Sequence, residues 1–141
     1  MINDKLKMTG AVSIALNGEV VREIPNLVVT TGKNFVASRM KDTTKAAMTH
    51  MAVGTDNTTA VAGQTALVSE AARGALTSTT VTANAIAYVE TFAAGTGTGA
   101  LVEAGLFNAS SGGDMLCRTV FAVVNKGSAD SMTITWTITV S

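Results

Sequence analysis

Between Met132 and Val140 the chain reads Met-Thr-Ile-Thr-Trp-Thr-Ile-Thr-Val, a strict alternation of large apolar residues and threonine. Successive side chains on a strand leave opposite faces, so Met132, Ile134, Trp136, Ile138 and Val140 share one face and Thr133, Thr135, Thr137 and Thr139 the other. Threonine is β-branched and hydroxylated; it favours extended backbone and tolerates either water or a protein partner. The segment predicts a strand with one buried face. A chain carrying it is a compact β-fold rather than a helical or α/β enzyme.

The rest of the chain agrees with that reading. Met8 to Leu16 and Glu19 to Ile24 flank Asn17-Gly18, a two-residue hairpin signal because both central positions need positive φ. Pro25 punctuates, and Leu27-Val28-Val29-Thr30 resumes an extended path. Lys33 to Lys41 is the one good helical stretch, with Phe35, Val36 and Met40 amphipathic, Thr31 as a cap, bases at its C-terminal end and a stop near Asp42-Thr43-Thr44. Ala47 to Val53, Leu76 to Thr82, Ala85 to Phe92, Ala100 to Phe107 and Met115 to Val124 read as further strands. Ala60 to Ala75 is ambiguous between an extended loop and a short helix over Thr65 to Arg73. The expected architecture is eight or nine short strands and one helix, an all-β jelly roll or two-sheet β-sandwich. It occupies residues 1–141 as a single domain, with residues 1–7 as an N-terminal arm.

At 141 residues the chain is long enough to bury a core without disulfide or metal staples. Only 14% of residues are charged, against about 25% in ordinary domains, so the surface suits packing against other protein. The net charge is zero but unevenly spread, at +3 over residues 1–45 and −3 over the remainder. A nucleic-acid binder shows a strong basic surplus, so no nucleic-acid partner is expected, and the N-terminal excess better suits an acidic protein surface. The single cysteine, Cys117, lies in an apolar strand run and reads as a buried inert thiol. No run of about 20 apolar residues is present, which predicts no membrane partner. The first residues lack the apolar core of a signal peptide, so synthesis in a reducing cytosol is expected.

Residues able to carry chemistry are sparse. His50 is the sole histidine and has no cysteine or histidine cluster around it, so neither a general base nor a zinc site is expected. Glu90 and Glu103 lie on neighbouring strand segments and could face each other as the carboxylate pair of a glycosidase. The plainer expectation is that these acids form structural ion pairs with Arg118 and Arg73. Gly95-Thr96-Gly97-Thr98-Gly99 lacks the Lys-Ser/Thr ending and the following helix of a phosphate loop, and reads as a flexible hairpin connection. Asn57-Thr58-Thr59 and Asn108-Ala109-Ser110 match the glycosylation sequon, which carries no weight without a secretory signal. Glu70 and Arg73 would pair within one helical turn, or reach another subunit from a loop. The chain is therefore expected to be non-enzymatic, with no catalytic residues, no cofactor and no metal.

Three segments carry a resemblance: Met51 to Arg73 (MAVGTDNTTAVAGQTALVSEAAR), Thr91 to Ala109 (TFAAGTGTGALVEAGLFNA), and Gly113 to Phe121 with Val124-Asn-Lys-Gly127 leading into the alternating strand. Together they resemble small virion proteins of tailed double-stranded DNA bacteriophages. The short length resembles, within that group, the jelly-roll capsid cement (decoration) proteins. The resemblance implies many copies on the outside of an icosahedral shell, made in the host bacterial cytoplasm, clamping neighbouring major capsid proteins as homodimers. Glu70, Arg73, Glu103 and Arg118 match recurrent charged positions of that family, with a structural role. Contacts to the capsid or a second subunit are expected from the arm (Ile2, Lys5, Leu6, Lys7), the basic helix (Lys33, Arg39, Lys41) and the Asp56 to Gln64 loop (Asp56, Asn57, Gln64). Exposed strand edges offer a second route, by sheet augmentation. The competing readings are a tail or tail-fibre module that meets the host surface and a small carbohydrate-active enzyme using Glu90 and Glu103.

Overall fold

The alternating segment is the centre of a sheet. In the computed structural model, which describes residues 5–41 and 45–141, Met132–Val140 (β10) lies between Met8–Leu16 (β1) and Ala85–Phe92 (β7). Glu19–Pro25 (β2) joins the far side of β1, and Ser78–Thr82 (β6) the far side of β7. The second sheet runs Leu27–Val28 (β3), Met115–Lys126 (β9), Gly99–Phe107 (β8), His50–Gly54 (β4) and Glu70–Ala75 (β5). Every pairing is antiparallel. The fold is an all-β two-sheet sandwich with one short helix, Thr30–Lys41 (α1). Met132, Ile134, Trp136 and Ile138 are buried in the core, while the intervening threonines are half-exposed. Opposite them pack Met51, Val53, Leu101, Leu106, Phe121 and Val124 from the second sheet. Cys117 joins this core as a fully buried free thiol, and burial pushes its pKa well up.

The β1–β2 turn follows the sequence reading. Asn17 and Gly18 both take positive φ, and the Asn17 side chain bonds across to Asp130 and the Ser131 amide. At the β6–β7 turn, by contrast, Ala83 sits at φ 52°, a region where its Cβ is crowded. Ala83→Gly is therefore expected to stabilise the fold by about 1 kcal/mol, read as a higher denaturation midpoint with unchanged m-value.

Several expectations are corrected. The described residues form ten strands, not eight or nine, because Glu70–Ala75 (β5) is an additional strand; β3 falls within the expected extended path from Leu27 but is only two residues long. Residues 60–69 form no helix, and Glu70–Ala75 pairs with β4 instead. The helix starts at Thr30, three residues before Lys33, so Thr31 lies inside it rather than capping it. Gly32 is what lets this turn seat, since a Cβ there would lie 2.0 Å from the Leu116 carbonyl oxygen on β9. The expected helix stop at Asp42-Thr43-Thr44 lies outside the described residues. The Gly95–Gly99 segment is not a hairpin: it carries the chain from β7 in one sheet to β8 in the other, with Gly95, Gly97 and Gly99 at positive φ. The 47–53 strand begins only at His50, whose Nδ1 lies 2.8 Å from the Thr49 hydroxyl.

Candidate docking surface

The outer face of the second sheet is covered by the long connection from β4 to β5. Residues 55–69 form a strap across it, and a buried ion pair pins the strap down. Glu103 on β8 and Arg118 on β9 are both wholly buried, with Arg118 Nη2 2.9 Å and Nε 3.1 Å from Glu103 Oε1. The carboxylate also accepts the backbone amides of Asp56, Val68 and Ser69 at 3.1, 3.0 and 2.8 Å. Arg118 donates to the Thr58 carbonyl at 2.8 Å and to Gln64 Oε1 at 3.2 Å. Each charge thus meets its opposite, and the remaining polar capacity is spent on strap backbone and the Gln64 amide, which is the condition for a buried pair to persist. Gly54 completes the fit, because a Cβ there would lie 2.5 Å from Glu103 Oε2. Leu67 seals the strap over Val29, Ala52, Phe107 and Met115, a second small core.

Within the strap, Asp56 and Gln64 are staples rather than free contacts. Asp56 Oδ1 accepts the Thr58 amide at 2.7 Å, and the bonds from Thr58 hold its carboxyl below the usual range, with Arg118 adding to the effect. Gln64 accepts the Val61 amide and donates to the Thr59 carbonyl. Asn57 alone of the three is an exposed side chain, beside a cavity of about 290 Å³ lined by Pro25, Asn26 and Leu27.

Glu70 and Arg73 pair inside one strand, in a fork with both distances near hydrogen-bond length, 2.7 and 3.1 Å. Residues three apart on a regular strand face opposite ways. Here the register slips between Ala72 and Glu70, and the extra residue returns both side chains to one face. Arg73 also donates to the Ala109 and Gly112 carbonyls and lies 3.8 Å from the Phe107 ring centroid.

Glu90 corrects two expectations at once. It lies on β7 and Glu103 on β8, in different sheets, so they are not strand neighbours and form no facing pair on one sheet. Among the described residues Glu90 forms no ion pair with Arg73 or Arg118: those arginines hold Glu70 and Glu103, and Glu90 Oε2 is buried without a partner. Its register opposite Ile134 turns it into the core, where Gly74 leaves it room. Desolvation raises its pKa, with the Thr91 amide bond opposing. An acid whose folded pKa is raised contributes stability below the ordinary glutamate range and loses it as pH climbs through the folded pKa. Glu90→Gln is therefore expected to be more stable than wild type at neutral pH by about 1 kcal/mol and to flatten the pH dependence of thermal unfolding above pH 4.

Of the expected arm and helix contacts, Leu6 and Lys33 come together beside α1, while Lys5, Lys7, Arg39 and Lys41 do not line the same groove. Leu6, Met8, Val28, Lys33, Val36 and Met40 border an apolar groove of about 290 Å³. Leu6 is 73% and Met40 79% exposed at its rim. Every charged residue in 5–8 and 30–41 is basic: Lys5, Lys7, Lys33, Arg39 and Lys41. The groove is firmly mounted. Lys7 and Ser141 exchange backbone bonds at 2.7 and 2.9 Å, and the Thr30 amide reaches the strap carbonyl of Ala62 at 2.8 Å. Arg39 Nη1 donates to the Lys45 carbonyl at 3.0 Å. Ile2 lies outside the described residues.

Sequence reasoning missed Met40, Val36, Met8 and Val28 as part of this surface. The signal was present in the i, i+4 spacing of Val36 and Met40, but nothing local tells that the face is left uncovered. No helix among the described residues is long and apolar enough to cross a membrane, and no group of three or more His, Cys, Asp or Glu side chains among them could hold a metal ion. Comparison with protein-family models, curated proteins and solved structures finds no match to this chain.

Proposed function

We propose that this chain is a structural virion protein of a tailed double-stranded DNA bacteriophage. In this reading it binds the outside of the icosahedral capsid as a homodimer and cements neighbouring major capsid proteins against internal DNA pressure, without catalysis. The observation that supports it most is the exposed apolar groove between Leu6 and Met40, whose one charged lining residue, Lys33, is basic. Such a surface takes an apolar anchor from a partner whose rim is acidic: burial supplies affinity and charge supplies orientation and exclusion of wrong partners. Because α1 is tied to the strap through Thr30 and Ala62, and Lys7 to Ser141, by backbone bonds, these segments lose little freedom on docking. Many weak contacts suffice, since a ligand selective for the assembled shell stabilises it by mass action and a dimer gains avidity.

The test is to strip the chain from virions that carry it and follow DNA release on heating. Loss of the chain lowers the release temperature, wild-type protein restores it, and a Lys33→Glu/Met40→Asp variant does not. An unchanged release temperature after stripping overturns the cement role. Location at the tail tip supports the tail or fibre reading instead.

A further inference from the structure

We infer that β6 is a self-pairing edge: two copies of this chain join antiparallel through Ser78–Thr82, about a two-fold axis at Thr80, to make one continuous ten-stranded sheet. The proposal specifies the self-association in the reading above, but it rests on the sheet edges and not on capsid binding.

Each sheet ends in two edge strands, and three of the four are protected. β2 carries Glu19, Arg22, Glu23 and Pro25, β3 is only two residues long, and β5 carries the Glu70–Arg73 pair and a bulge. Charges, proline, bulges and shortness are the usual devices against edge-to-edge pairing. β6 has none of them. Its sequence is Ser-Thr-Thr-Val-Thr, all five residues are exposed, its register with β7 is unbroken, and residues 74–89 contain no charged side chain.

The ladder fixes which register a second copy would adopt. Thr82 and Ala85 pair across the two-residue turn Ala83-Asn84, so they form a bonded pair. Bonded pairs alternate, so Thr80 and Ser78 also address β7, while Thr79 and Val81 turn their N–H and C=O to the open edge. No other described residue bonds those groups. An antiparallel copy centred on Thr80 sets Thr79 opposite Val81 and Val81 opposite Thr79, each pair exchanging two backbone bonds. Thr80 then meets its own symmetry mate as a close non-bonded pair, an arrangement favourable for threonine.

A second observation points to the same edge. Val81 faces Ile86, and Ile86 pairs with Ile138, so all three lie on the inner side of the sheet. There the sheet overhangs its partner layer, leaving an apolar cleft of about 230 Å³ with Val81 69% and Val140 36% exposed. Pairing through β6 continues that inner face into the second copy and shelters Val81. A charged strand would have to shed water against this edge; an uncharged copy of β6 does not. A contact limited to five residues per chain is below a standard interface, so association depends on concentration.

Sedimentation velocity of the isolated chain over a concentration series tests this without any virion, so its failure and that of capsid binding are separate results. Wild type is expected to shift from monomer to dimer and no further. Thr80→Lys, which sets two like charges face to face, and Thr79→Pro, which removes an outward amide only, stay monomeric with unchanged circular dichroism and melting. In addition, Thr80→Cys cross-links to a disulfide dimer on mild oxidation, whereas Ser78→Cys, opposite Thr82 in the pair, does not; Cys117 is buried and takes no part. A wild-type monomer at every concentration, a dimer surviving Thr80→Lys, or equal cross-linking of the two cysteine variants overturns the proposal.

Discussion

Arg118→Leu is expected to destabilise the fold by about 3–5 kcal/mol, the cost of leaving a buried charge without its partner. Glu103 would remain fully buried beside an apolar side chain, and the Thr58 carbonyl and Gln64 Oε1 would lose their donor. The loss is local before it is global. Hydrogen exchange should show the amides of residues 55–69 opening first, because Leu67 and the Glu103 carboxylate are what hold them. Replacing both partners by leucine does not restore wild-type stability here, although buried pairs elsewhere are often replaceable. Three strap amides, of Asp56, Val68 and Ser69, end on the same carboxylate and would be left unsatisfied. Near wild-type stability of the double variant, or unchanged protection of the strap, would contradict this account of the pair.

Trp136→Ala is expected to cost about 3–5 kcal/mol and to lower the melting temperature by roughly 10–20 °C. Trp136 is fully buried, opposite Val12 on β1 and Tyr88 on β7, at the middle of the inner face. Its removal leaves a cavity walled by two rigid sheets that cannot collapse onto it. The indole N–H is buried with no partner, so Trp136→Phe gives up volume but also relieves an unsatisfied donor. Phenylalanine should therefore cost less than half of what alanine costs, and thermal unfolding of the two variants measures that ratio directly.

What could be read from the sequence follows how local each determinant is. The period-2 run from Met132 to Val140 and the Asn17-Gly18 turn carry their own instructions, and both elements form with the expected bounds. Glu70 and Arg73 show the limit of spacing: three residues apart they fit one helical turn, but a bulge in β5 gives the same proximity, and pairing with β4 decides between them. Gly95 to Gly99 announces a tight reversal without saying which sheet receives the next strand. The strap was legible as a loop and no more, because its anchor is remote. Glu103 is 47 residues from Asp56 and 34 from Ser69, so no window along the chain contains both. The helix start is hidden for a similar reason: Gly32 is unfavourable by propensity and is required by the approach of β9. The groove between Leu6 and α1 joins chain segments that only the fold brings together.

The central claim is that the Leu6–Met40 face docks on a capsid shell. Cryo-electron microscopy of virions that carry this chain, at a resolution sufficient to place two packed sheets and one helix, tests it most directly. The account predicts sandwich-shaped density outside the shell at the seams between major capsid proteins, with α1 and the Leu6 segment turned toward the shell. Density at the tail tip, or seam density with that face turned to solvent, would contradict it.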